Sequence, residues 1–199
     1  MKVVLASGNI NKIKEMQTLL CELCGKEITV LSLKDIGFYD DIVEDGDSFE
    51  ANALIKAKAP KCKEYPVIAD DSGLMVDALF GEPGIYSARY AGEECDDEKN
   101  NQKLLKKMDT VPDGKRNARF VSVIACVFPD GKNITAEGIC EGVMLREYKG
   151  NGGFGYDPLF FVPEIGKTFA EMNAEEKNSC SHRGKAMRKF AREFAEYIK

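Results

Sequence analysis

Apolar positions along the chain change their period several times, and each change marks an element. Lys2 to Ala6 is a short β-favouring apolar run. After Ser7-Gly8-Asn9, apolar residues return at Ile10, Ile13, Met16, Leu19, Leu20 and Leu23, the spacing of a helix. The chain therefore opens as strand, tight turn and helix. Ser48 begins a second helical stretch through Phe49, Asn52, Ala53 and Lys56, which Pro60 bends or ends. Val67 to Ala69 reads as a buried strand that runs into Asp70-Asp71-Ser72-Gly73, and from there to Gly92 the composition is that of a loop around a site. Asp96 to Met108 is polar with Leu104, Leu105 and Met108 on one face, a surface helix capped by Asp96 or Asp97. The pattern assigns that helix no chemistry.

Arg119 to Phe128 and Ile134 to Leu145 are strand-like on either side of the turn Pro129-Asp130-Gly131-Lys132, which predicts a long antiparallel hairpin. Gly150 to Asp157 is a second glycine-rich loop, Leu159 to Val162 a short strand, and Arg183 to Ile198 a closing helix with Met187, Phe190, Phe194 and Ile198 inward. The sum is an α/β chain with a mixed sheet and flanking helices, read as one domain over 1–199, with two lobes enclosing a central cleft.

Composition narrows the class. With 199 residues and 44% apolar content the chain can bury its own core. No apolar stretch approaches the roughly 20 residues needed to cross a bilayer, and no leader pattern stands at the start, so a cytoplasmic protein without membrane partners is expected. The seven cysteines lack the paired repeats of a disulfide framework and are expected reduced. Cys21 and Cys24 form a CxxC on the first helix, but no second pair or nearby histidine completes a zinc site. A net charge of −5 disfavours a protein that grips nucleic acid by bulk charge. It leaves room for one small triphosphate held by a few lysines, backbone N–H groups and a divalent ion.

Several segments could do such chemistry. Ser7, Gly8, Asn9, Ile10, Asn11 and Lys12 stand where a strand becomes a helix, and the positive end of a helix favours an anion; a plain N-cap is the structural alternative. Glu44-Asp45 and Asp70-Asp71 are carboxylate clusters assigned to turns, whose oxygens suit Mg²⁺ shared with substrate phosphates. Asn52 and Lys56 stand four apart and could point at one ligand. Phe154 and Tyr156 lie among glycines, which lets a base approach a ring closely; rings tucked into the core explain the same pattern. His182, the only histidine, precedes Arg183 at a helix start.

Taken in order, SGNINK at 7–12, FEANALIKA at 49–57, ADDSGL at 69–74, GEPGIYSARYAG at 81–92, GGFGYDPLF at 152–160 and SHRGKA at 181–186 resemble the inosine/xanthosine triphosphate pyrophosphatase family nearly end to end. That resemblance implies an elongated two-lobed α/β fold, a homodimer, and Mg²⁺-dependent hydrolysis of a purine nucleoside triphosphate to monophosphate and pyrophosphate. It implies that Ser7 to Lys12 cradle phosphates, that Glu44 and Asp71 hold Mg²⁺, and that Asp71 is the general base with Lys12 and Lys56 clamping charge. It further implies that Ser72 contacts substrate, that Phe154 stacks on the purine with Gly155, Tyr156 and Asp157 completing the wall, and that Lys177, His182 and Arg183 read the base. One departure stands out. The family commonly carries Glu-Asn in the second helix, whereas Ala51 precedes Asn52 here and Glu50 lies one position earlier. One residue turns a side chain by about 100° around a helix, so Glu50 is not expected to take over that role.

A donor such as Arg183 facing position 6 donates to the oxygen of hypoxanthine or xanthine and rejects the amino group of adenine. The alternatives are a pyrophosphatase for other modified nucleotides, a binding protein without catalysis, and a nucleic-acid binder, the last disfavoured by charge.

Overall fold

The computed structural model describes residues 1–24 and 28–197, apart from the side chains of Ile10 and Cys24; Ile198, expected to face inward, lies outside the described residues. In chain order the regular elements are β1 (Lys2–Leu5), α1 (Ile10–Cys24), β2 (Thr29–Ser32), α2 (Phe49–Lys58), β3 (Val67–Val76), α3 (Asp97–Lys107), β4 (Asn117–Val127), β5 (Asn133–Met144), β6 (Phe160–Val162), β7 (Lys167–Thr168), α4 (Ala174–Cys180) and α5 (His182–Tyr197). The strands form one mixed sheet in the order β2-β1-β3-β4-β5-β6-β7. β1 is parallel to β2 and β3, while β6 is antiparallel to β5 and β7.

The chain divides into two compact units. The first comprises Met1–Asp71, Ser122–Gly138 and His182–Lys199, the second Ser72–Val121 and Ile139–Ser181. The first is built on Val3, Leu5, Met16, Leu20, Ile68, Ile124, Met187, Phe190 and Phe194, so the inward stripes of α1 and α5 meet the sheet as their spacing predicts. The second is built on Leu74, Val76, Leu104, Met108, Phe120, Leu159, Phe160 and Phe169. Phe120 meets Phe160 edge-on at 4.7 Å and stacks with Phe169 at 5.7 Å, favourable aromatic geometries.

Two expectations change. Asp70 and Asp71 are not in a turn: β3 continues through Asp70-Asp71-Ser72-Gly73 to Val76, and both aspartates are buried. A strand tolerates two buried carboxylates here because successive side chains point to opposite faces and each finds cations there. The stretch to Gly92 is accordingly part strand and part short 3₁₀ turns, Asp77–Leu79 and Gly84–Arg89. The caps follow sequence closely. Ser48 accepts the Ala51 N–H at the start of α2, and Asp96 accepts that of Lys99 at the start of α3.

Candidate active site

The first unit gathers a polar cluster around the two aspartates. Lys56, from α2, donates to Glu44 Oε2 at 2.7 Å and to Asp71 Oδ1 at 2.8 Å. Asp71 Oδ2 is buried and has no hydrogen-bond partner among the described residues. On the other side of the strand, Asp70 accepts the Ser122 hydroxyl at 2.5 Å and pairs with Lys12 at 3.0 Å and Arg183 at 3.3 Å. Arg183 is almost wholly buried and also donates to Glu15.

These surroundings drive the neighbouring carboxyls in opposite directions. Burial alone would raise Asp70, but the charges of Arg183 and Lys12 outweigh it and hold that carboxyl well below the ordinary range. At Asp71 burial wins, pushing the carboxyl above its ordinary value against the pull of Lys56 and Lys12. Burial would lower Lys56, yet Asp71 and Glu44 hold its ammonium more firmly charged.

Asn52 and Lys56 both lie on the buried side of α2. Asn52 Oδ1 accepts the Gly46 N–H at 2.9 Å and so anchors the segment that carries Glu44. Gly46 packs so tightly on α2 that an added Cβ would stand 2.7 Å from Asn52 Oδ1 and 2.8 Å from Ala51 Cβ. Glu50 accepts the Thr135 hydroxyl at 2.9 Å at the surface, not in the cluster with Glu44 and Asp71. An open cavity of about 570 Å³ is lined by Ser7, Gly8, Glu44 and Lys56 together with Ser32 and Phe38.

The turn before α1 is its own cap. Asn9 Oδ1 accepts the N–H groups of Asn11 at 3.0 Å and Lys12 at 3.1 Å, while the Asn9 N–H donates to Ser7 Oγ at 3.2 Å. The Ile10 side chain lies outside the described residues. An anion reaching these groups competes with Asn9 for the donors, whereas Gly8, with nothing within 4 Å of an added Cβ, leaves the backbone open to approach.

In the second unit the glycine-rich loop is held by charge. Asp157 Oδ2 accepts the Phe154 N–H at 2.9 Å and the Lys177 ammonium at 2.7 Å, and that ammonium stands 4.7 Å from the centre of the Phe154 ring. Tyr156 is the tucked-in ring, buried with its hydroxyl donating to the Ser87 carbonyl at 2.8 Å. Phe154 is half-buried, the exposure a stacking platform needs. Gly153 has φ +75°, and a Cβ there would overlap the Asp157 carboxylate. Thus Ser7 to Lys12, Glu44, Asn52, Lys56, Asp71, His182 and Arg183 fall in the first unit, and Ser72, Phe154, Gly155, Tyr156, Asp157 and Lys177 in the second. Sequence reasoning missed Asp70, Ser122 and Glu15 as partners; the adjacent Asp70-Asp71 pair was visible, but its three-sided cation cage depends on the fold.

The model of the Ham1 family matches residues 3–193. The chain belongs to the Ham1 family. A protein of Desulforamulus reducens named dITP/XTP pyrophosphatase is 54% identical over 192 residues, covering 95% of this chain and 93% of that one. A Leuconostoc mesenteroides protein of the same name is 46% identical, covering 100% of this chain and 99% of its own. Among solved structures, the Ham1 protein of Staphylococcus aureus matches with TM-score 0.87 at 40% identity over all of both chains. A nucleoside-triphosphatase, or dITP/XTP pyrophosphatase, of Mycobacterium abscessus matches with TM-score 0.77 at 41% identity, covering 96% of this chain and 98% of its own. Among the described residues, no helix is long and apolar enough to cross a membrane.

Proposed function

We propose that this Ham1-family chain hydrolyses non-standard purine nucleoside triphosphates, ITP, dITP and XTP, to the monophosphate and pyrophosphate, and so removes them from the nucleotide pool. The observation that carries the reading is Asp71: a buried carboxylate with one oxygen on Lys56, the other without a hydrogen-bond partner among the described residues, and Glu44 across the same ammonium.

The donor set suits Mg²⁺, which takes hard oxygens and characteristically uses one or two carboxylates together with substrate phosphates. Glu44 and Asp71 would hold the ion, which supplies charge neutralisation at the phosphates. The polar cluster of the first unit needs such a charge, because Glu15, Glu44, Asp70 and Asp71 outnumber Lys12, Lys56 and Arg183.

Asp71 orients a water toward the α phosphorus and takes its proton on Oδ2, a placed base contributing typically about 10²–10⁴-fold. A carboxyl raised by burial is better matched to that task near neutral pH than one held low, which separates Asp71 from Asp70. Lys56 and Lys12 donate to phosphate oxygens as pyrophosphate leaves. Phe154 stacks on the purine beside Gly155, Tyr156 and Asp157, Ser72 touches substrate, and Lys177, His182 and Arg183 supply donors to the base. Arg183 gives that role only alongside its bonds to Glu15 and Asp70. The active protein is expected to be a homodimer, which light scattering tests as twice the chain mass.

The experiment is pyrophosphate release from dITP, XTP, dATP, dGTP and TTP with Mg²⁺. Preference for dITP over dATP by about 10²-fold or more in kcat/KM supports the reading, since a site built on donors leaves them unpaired against adenine. Equal turnover of all five refutes the base assignment.

A further inference from the structure

In the second unit, α3 directs two side chains at one residue of the glycine-rich loop. Asp97 Oδ2 accepts the Gly155 N–H at 2.7 Å, and Asn101 donates through Nδ2 to the Gly155 carbonyl oxygen at 2.9 Å. The two stand four apart, on one face of the helix. Gly155 has φ +60°, and both of its backbone groups are thus claimed by a helix more than fifty residues earlier in the chain.

The helix is a firm support. Asp96 caps it, Leu104 is wholly buried, and Asn100 accepts the Ala91 N–H at 2.6 Å while donating to the Ala88 carbonyl at 2.8 Å. The peptide groups on either side of Gly155 join it to Phe154 and Tyr156, so a rotation of either one moves a ring. Tyr156 is fixed independently through Ser87, and Phe154 through Asp157. Among the described residues, Asp97 and Asn101 hold Gly155 from outside the loop.

Asn101 carries a second signal. It is buried, and its Oδ1 has no hydrogen-bond partner among the described residues. A buried unpaired acceptor destabilises the fold, so a leucine of similar size would serve packing better. The bond to Gly155 is what the asparagine provides in return.

We propose that Asp97 and Asn101 are positioning residues that set the Phe154 ring as a platform for the substrate base. This rests on the reading of Phe154 as the stacking residue given above. The consequence is that stability and substrate affinity part company at these positions.

The test uses the full chain with Asn101→Leu, Asp97→Ala and Asp97→Asn, measuring thermal midpoint and steady-state kinetics on dITP. Asn101→Leu is expected to keep or raise the midpoint while KM rises about 5–10-fold and kcat stays within about twofold, the signature of lost binding shared by ground and transition states. Asp97→Ala raises KM similarly. Asp97→Asn restores it, because an amide oxygen still accepts the Gly155 N–H. Unchanged KM in both Asn101→Leu and Asp97→Ala overturns the inference, as does an Asp97→Asn variant as impaired as Asp97→Ala, or kinetic loss that only follows a falling midpoint. A wild-type protein inactive on dITP overturns the proposed function itself, a result distinct from active wild-type enzyme with unmoved variants.

Discussion

Asp70 and Asp71 are neighbours in sequence with opposite surroundings, and the difference sets what each can be asked to do. Asp70 is an electrostatic keystone for Arg183 and Lys12. Asp70→Asn leaves a buried guanidinium short of a counter-charge, and urea unfolding should register a loss of about 3–5 kcal/mol. Because the folded-state carboxyl of Asp70 lies below its ordinary value of 3.8, its stabilisation is present above that pH and disappears as pH falls below it. The metal-free wild type should therefore lose stability on acidification more steeply than Asp70→Asn. Asp71 is shifted the other way, so its charge is a burden on the fold, and Asp71→Asn should change stability far less while lowering kcat about 10²–10⁴-fold. The proposed base acts in its ionised form, so activity should fall as pH drops through a value above 3.8. Mg²⁺ should raise the wild-type melting temperature in a concentration-dependent way, since a ligand of the folded state stabilises by mass action. Glu44→Gln and Asp71→Asn should each blunt that rise; an equal rise in both variants would remove these residues as ligands.

At the level of elements, close backbone approach explains several glycines that a pattern cannot rank. On β5, a Cβ at Gly138 would overlap the His182 carbonyl oxygen and the Ala186 nitrogen at the start of α5. Gly138→Ala must push helix and strand apart and should destabilise the protein by about 1–3 kcal/mol in thermal or chemical unfolding. Helices α1, α3 and α5 were legible because their apolar stripes are regular and Asn9 and Asp96 cap the first two, while α2, which lacks such a stripe, was legible from its Ser48 cap. The hairpin of β4 and β5 was legible from its Pro-Asp-Gly-Lys turn, where the Phe128 N–H closes on the Lys132 carbonyl at 2.9 Å. β3 was read too short because charged residues look like loop until their partners are known. α4 was overlooked, although Asn173 and Glu176 form a reciprocal capping box whose spacing is visible in the sequence. β2 and β7 are too short for periodicity to declare them.

For the molecule as a whole, the family was legible because six short motifs occur in order; Asp71 and Phe154 stand inside those motifs, whereas Glu44 and Lys177 lie outside them. Partnerships were not legible, since they join residues far apart in sequence. Arg183 pairs with Asp70 across 113 positions and with Glu15 across 168, while Asn101 meets Gly155 across 54. Such contacts fix the carboxylate cluster of the first unit and the glycine-rich loop of the second. The central claim is that water, directed by Asp71, attacks the α phosphorus. Hydrolysis of dITP in water enriched in heavy oxygen, with the products separated by mass spectrometry, tests it directly. The account predicts pyrophosphate without label and one heavy oxygen in the monophosphate, at a rate that collapses in Asp71→Asn. Label in pyrophosphate, or release of orthophosphate, would contradict it.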